Sequence, residues 1–122
     1  MESSLKDMLD WLKSVAQEVR SLEAEAALLL HDQNDSQAYR RKMVEKATLL
    51  AGLTDQAGKH LAALDPAQAK PVRERLERFS KSAGTALDLG SVFFMSALLY
   101  PEDFQPGDKN DLETFIDALQ KG

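Results

Sequence analysis

Apolar residues at Leu5, Met8, Leu12, Val15, Val19, Leu22, Ala26 and Leu29 alternate steps of three and four, the rhythm of a helix with one continuous apolar seam. The pattern predicts a helix from Ser4, paired with Asp7 as a cap, to about His31, where His-Asp-Gln-Asn-Asp-Ser is a run of turn and cap residues. A second helix is expected from a cap at Asp35 or Ser36 to about Leu64, with Met43, Ala47, Leu50, Ala57, Leu61 and Leu64 on its apolar face. Gly52 and Gly58 fall inside it. A helix tolerates glycine best where a neighbouring backbone comes close, so tight packing or a slight bend is expected there.

Asp65-Pro66 starts a turn, and Pro71 would interrupt helical hydrogen bonding further in, which puts the main body of a third helix from near Pro71 onward. Val72, Leu76, Phe79, Ala83, Ala86, Gly90, Phe93 and Ala97 keep the three-four rhythm to about Leu99. Beyond Leu87 this helix is apolar nearly all round and needs cover on more than one side. After a loop from Pro101, Asn110 and Glu113 form a capping-box pattern, and Leu112, Phe115, Ile116 and Leu119 share one face of a short helix placed to lie across the end of the third. No useful stretch alternates with period two. The expected fold class is all-α: an elongated antiparallel up-down helical bundle, three long helices plus a short C-terminal helix, in a single domain over 1–122.

Composition adds exclusions. With 122 residues, 43% apolar, and no cysteine, the chain reads as one soluble domain that builds a core without zinc-thiolate sites, iron–sulfur clusters, disulfides or a thiol nucleophile. The start carries acids early and has no apolar run behind a basic head, so it does not read as a secretory signal; Ala86–Tyr100 is too short for an ordinary membrane span, and the expected location is cytoplasmic. The net charge of -5 is unevenly placed: acids predominate in residues 1–35 and 101–122, bases in 36–100. Opposite charges are therefore expected to line the helix seams of the bundle.

Candidate chemistry is sparse. His31 sits at a helix C-terminus, where exposed carbonyls favour an imidazolium. Lys59 and His60 resemble the mid-helix histidine and nearby lysine of histidine phosphotransfer bundles, although Leu-Ala-Ala-Leu follows where those domains place a lysine-glycine pair. A packed or capping role is preferred for His60, with phosphotransfer as an alternative. Glu-x-x-His, glycine-rich phosphate loops and zinc spacings are all missing, so no catalytic residue, metal or cofactor is expected. Glu23 with Glu25, and Glu74 with Glu77, read as solvated faces. Arg40, Arg41, Lys42 and Lys46 form one basic cluster and Arg73, Arg75, Arg78 and Lys81 another, giving a weaker alternative as a phosphate- or nucleic-acid-binding surface on an otherwise acidic chain.

The surplus of apolar side chains most asks for a partner. Trp11 flanks the first seam, Leu28 faces away from it, and Phe94, Met95, Leu98 and Leu99 extend beyond the third stripe. These six are the candidate partner-binding residues, for another protein's helix or for a second copy in a homodimer. Ala27-Leu-Leu-Leu-His-Asp, followed by Tyr39, Met43, Lys46, Leu49, Leu50 and Leu53, resembles the helical hairpin of flagellar and related export chaperones, in which a polar turn joins two heptad helices. The function expected is a small protein-interaction module, an adaptor or export-type chaperone, without catalysis.

Overall fold

The computed structural model describes residues 3–121 as an all-α bundle; the outermost ends of the expected 1–122 domain lie outside that range. Helix α1 (Ser3–His31) contains neither glycine nor proline and buries Met8, Leu12, Val15, Val19, Leu22 and Ala26 along the predicted seam. It already includes Ser3, so Ser4 stands within its first turn rather than capping it. After the polar turn, the Asp35 carboxylate accepts the Ala38 N–H at 2.9 Å and starts α2 (Ser36–Ala51), as the cap pattern predicts.

The expected second helix is divided into α2, α3 (Leu53–Gln56) and α4 (Gly58–Ala63). Hydrogen bonds from Gly52 N to Thr48 O, Gln56 N to Gly52 O and Leu61 N to Ala57 O keep the three pieces on one path. The first break has a cause on α5. There the Ser80 hydroxyl donates to Leu50 O at 3.1 Å and receives the Thr54 N–H at 3.3 Å, inserting itself where a Thr54-to-Leu50 helical bond would lie. No backbone of another helix crowds Gly52 or Gly58, so of the two alternatives expected there, tight packing or a slight bend, the interrupted helix fits the second.

Helix α5 (Pro66–Leu89) corrects both ends of the predicted third helix. It begins five residues earlier because Pro66 occupies its first turn, where a missing N–H leaves nothing unpaired; Pro71 lies exposed within the helix and removes a single backbone bond. It stops ten residues earlier because Gly90 adopts a left-handed φ of 63° and closes a Schellman motif, with Gly90 N–H bonded to Leu87 O and Ser91 N–H to Ala86 O. Ser91 then accepts the Phe94 N–H at 3.1 Å and caps α6 (Val92–Ala97), which leaves at an angle set by that turn.

Helix α7 (Asp111–Lys121) opens with the predicted capping box: Asn110 Oδ1 accepts from Glu113 N at 2.9 Å and Glu113 Oε1 accepts from Asn110 N at 2.8 Å. It runs beside α1 and faces α5, where Phe115 meets Phe79 edge to face at 6.2 Å, rather than crossing the end of the third helix. The core is one main cluster shared by α1–α5, α7 and Leu99, with a smaller cluster of Ala26, Met43, Ala47, Ala86 and α6's own Met95. Cross-seam ion pairs join Glu25 to Lys42 and Glu23 to Lys46, the complementarity anticipated from the charge distribution, and a further pair, Arg20 to Glu113, links the two acidic end segments. No helix among the described residues is long and apolar enough to cross a membrane.

Two glycines of α5 and its cap should respond oppositely to alanine. Gly90→Ala forces a side chain into the left-handed region and should destabilise by about 1 kcal/mol, whereas Gly84→Ala, in mid-helix with open space around a new Cβ, should stabilise by up to about 1 kcal/mol. Urea unfolding of both variants checks this; equal effects would contradict the Schellman assignment.

Candidate functional site

The polar centre of the molecule is built around Lys46, whose side chain is 0% exposed although lysine ordinarily reads as a surface residue. Its ammonium pairs with Glu23 Oε2 at 2.9 Å and donates to Ser96 O at 3.1 Å, joining α2 to α1 and α6. The other Glu23 oxygen accepts the Tyr100 hydroxyl at 2.6 Å, and the ammonium lies 5.0 Å from the Tyr100 ring centroid. Arg20 donates to the Tyr100 oxygen at 3.2 Å and to both oxygens of Glu113, at 2.7 and 3.2 Å, carrying the network into α7.

Burial pushes Lys46 below its ordinary value, with Glu23 opposing the shift. Burial, reinforced by the bond to Glu23, holds the Tyr100 hydroxyl well above the usual phenol range. The Arg20 hydrogen bonds lower Glu113 and raise Arg20. These groups are engaged with one another: a cleft of about 580 Å³ between α1, α2 and α6 exposes parts of Arg20, Glu23 and Tyr100, but their polar atoms already point into the network. The arrangement locks α1, α2, α6 and α7 together, while His31 and Tyr39 also line the cleft, outside the network.

The opposite side of α6 is different. Two adjoining hollows of about 350 and 550 Å³ share Lys81, Ser82, Leu98, Leu99 and Asp111, and together form a trench along α5. One end is lined by Arg75, Arg78 and Lys81; the other is apolar, with Ala86 and Leu89 on α5 facing Phe94, Ala97 and Leu98. Leu89 is 62% and Phe94 50% exposed at its mouth, and Phe93, 74% exposed, packs edge-on against Phe94 at 5.8 Å. The trench wall contains Leu99 at a left-handed φ of 76°, an uncommon conformation for leucine, with its carbonyl accepting the Asp111 N–H at 2.9 Å.

The six predicted partner-binding residues do not form one surface. Met95 and Leu99 are buried, a correction that follows from the turn at Gly90: α6 folds back, so Met95 enters the smaller cluster and Leu99 the main core. Leu98 is half-buried against both clusters and, with exposed Phe94, lines the trench. Trp11 is half-buried and stacks on His60, ring centroids 5.3 Å apart. Leu28 is exposed on α1. Leu89 lines the trench mouth and Phe93 stands exposed beside Phe94; the sequence places Leu89 in an apolar helix end needing cover and Phe93 in its apolar stripe, so neither is a predicted contact residue.

His60 stands in the last turn of a six-residue helix with one face against Trp11, a packed position. The basic cluster of α2 is divided, since Lys42 and Lys46 turn to α1 carboxylates; Glu25 keeps an exposed side chain while pairing with Lys42, whereas Glu23 is largely buried against Lys46 rather than solvated. Among the described residues there is no group of three or more His, Cys, Asp or Glu side chains placed to hold a metal. Comparison of the chain with protein families, with curated proteins and with solved structures finds no match.

Removing Glu23 leaves the buried ammonium without its counter-charge. Glu23→Gln should cost about 3 kcal/mol in urea unfolding, and adding Lys46→Met should recover part of that loss because no charge then stays buried. A double variant less stable than Glu23→Gln alone would contradict the pairing. The pH dependence has a defined sign. Because Glu113 is lowered in the folded state, its clamp stabilises fully above the unfolded carboxylate value of about 4.3 and is lost as pH falls through the lower folded value. Thermal unfolding between about pH 5 and 2 should fall more steeply for wild type than for Glu113→Gln; parallel profiles would contradict the clamp.

Proposed function

We propose that the protein is a non-catalytic interaction module, an adaptor or export-type chaperone acting in the cytoplasm, whose working surface is the α5–α6 corner. One observation carries this reading: of the four exposed large apolar side chains among the described residues, Leu89 and Phe94 line one open hollow and Phe93 packs against Phe94. Exposed leucines scattered singly are ordinary, but aromatic and aliphatic residues clustered around a groove mark a contact surface. The self-satisfied network on the other side of α6 supports the non-catalytic part, since its ionisable groups hold one another. The cysteine-free composition suits a reducing compartment.

The test is Phe94→Asp. The ring is half exposed, so the variant should keep its helicity and change stability by no more than about 0.5 kcal/mol. Affinity purification from the source cell should return a stoichiometric partner with wild type and lose it with the variant. Native mass measured beside it separates a foreign partner from a second copy. Wild type recovered alone as a monomer, or a partner retained by the folded variant, would overturn this surface.

A further inference from the structure

We propose that the trench beside α5 seats one amphipathic helix of a partner protein, with its apolar residues at the Leu89–Phe94 end and its carboxylates against Arg75, Arg78 and Lys81. The proposal rests on the docking surface above and specifies what docks. Arg75 and Leu89, at the two ends of the joined hollows, are separated by about 21 Å of helix at 1.5 Å per residue, the length of about four helical turns. One wall is α5 throughout; the other is α6 at the apolar end and Leu50, Leu98, Leu99 and Asp111 at the cationic end. Amphipathic helices lay their apolar face into grooves of this kind, and here the apolar half receives that face.

Charge selects the occupant. Among the described residues, no carboxylate forms an ion pair with Arg75, Arg78 or Lys81, although the chain carries a net charge of -5. Asp111 is the one acid lining the trench, leaving the lining cationic. On α2, Lys42 and Lys46 are neutralised across the α1 seam, while exposed Arg40 and Arg41 do not line the trench. Arg75 is additionally held over the Phe79 ring at 4.8 Å, which presents its guanidinium at low conformational cost.

Other occupants fit less of the surface. A nucleic-acid backbone would answer the cations and leave Leu89 and Phe94 uncovered. A second copy lacks a suitable helix: apart from the corner itself, Leu28 is the only exposed large apolar residue among those described, so no other helix presents an apolar stripe. A foreign helix with an acidic end and an apolar end satisfies both halves.

The probes are two synthetic peptides of about 14 residues, matched to the trench length. One has glutamates in its first half and leucines at helical spacing in its second; the other reverses that order. Lysine-for-glutamate versions and a DNA duplex serve as comparisons, and binding to the full chain is followed by fluorescence anisotropy. One acidic peptide should bind saturably, and Arg78→Glu with Lys81→Glu should weaken it about tenfold while circular dichroism stays unchanged. The milder Arg78→Gln with Lys81→Gln should give an intermediate loss, and the lysine peptides and the duplex should bind far more weakly. Binding insensitive to either pair of substitutions, equal binding of the lysine peptides, preferential duplex binding, or no binding of either acidic peptide would overturn the acidic-helix assignment. So would a native dimer that the charge reversals dissociate. If Phe94→Asp still abolishes partner capture in those cases, the docking surface stands without this occupant; if it does not, that reading falls as well.

Discussion

A buried lysine is the constraint on which the other contacts are arranged. Moving an ammonium out of water is costly enough that its surroundings must supply a counter-charge and hydrogen-bond acceptors together. Glu23 provides the charge from α1 and the Ser96 carbonyl an acceptor from α6, so Lys46 on α2 can be buried only when these helices meet in one register. Tyr100 and Arg20 extend the same requirement to Glu113 and hence to α7. Apolar seams alone permit helices to slide by a turn; a buried pair with defined partners resists that displacement.

This polar centre also determines where the unengaged chemistry lies. On its own side of α6 the ionisable groups are turned toward one another. On the far side, α6 is held by the Ser96 carbonyl at a distance that leaves a trench between Phe94 and α5. Lys42 and Lys46 of α2 pair across the seam with α1, and Arg75, Arg78 and Lys81 of α5 remain beside the exposed corner. The locking network and the exposed apolar corner are thus divided by a helix of six residues.

Much of the bundle was legible because its signals are local. The α1 seam, the Asp35 cap, the turn at His31 and the Asn110–Glu113 capping box each depend on residues within a few positions of one another. Gly90-Ser91 was also a local signal, a helix stop followed by a cap, but Gly90 falls on the three-four stripe and the apolar run on both sides favours continuation. That one turn moved Met95 and Leu99 into the core while leaving Phe94 exposed. Ser80 entering the ladder between Leu50 and Thr54, and Lys46 turning inward, arise from contacts between distant segments. A serine in a helix and a lysine in a basic cluster give no local sign of either role.

The most direct measurement is amide hydrogen exchange across the chain for wild type and Lys46→Met, a substitution of similar length that removes the charge and the bond to Ser96 O. The account predicts that protection falls chiefly in residues 92–100 and in the first turns of α7, which the network ties to α1, while mid-α5 changes little. Unchanged protection in residues 92–100, or a loss spread evenly over every helix, would contradict the claim that the buried lysine fixes the α6 corner.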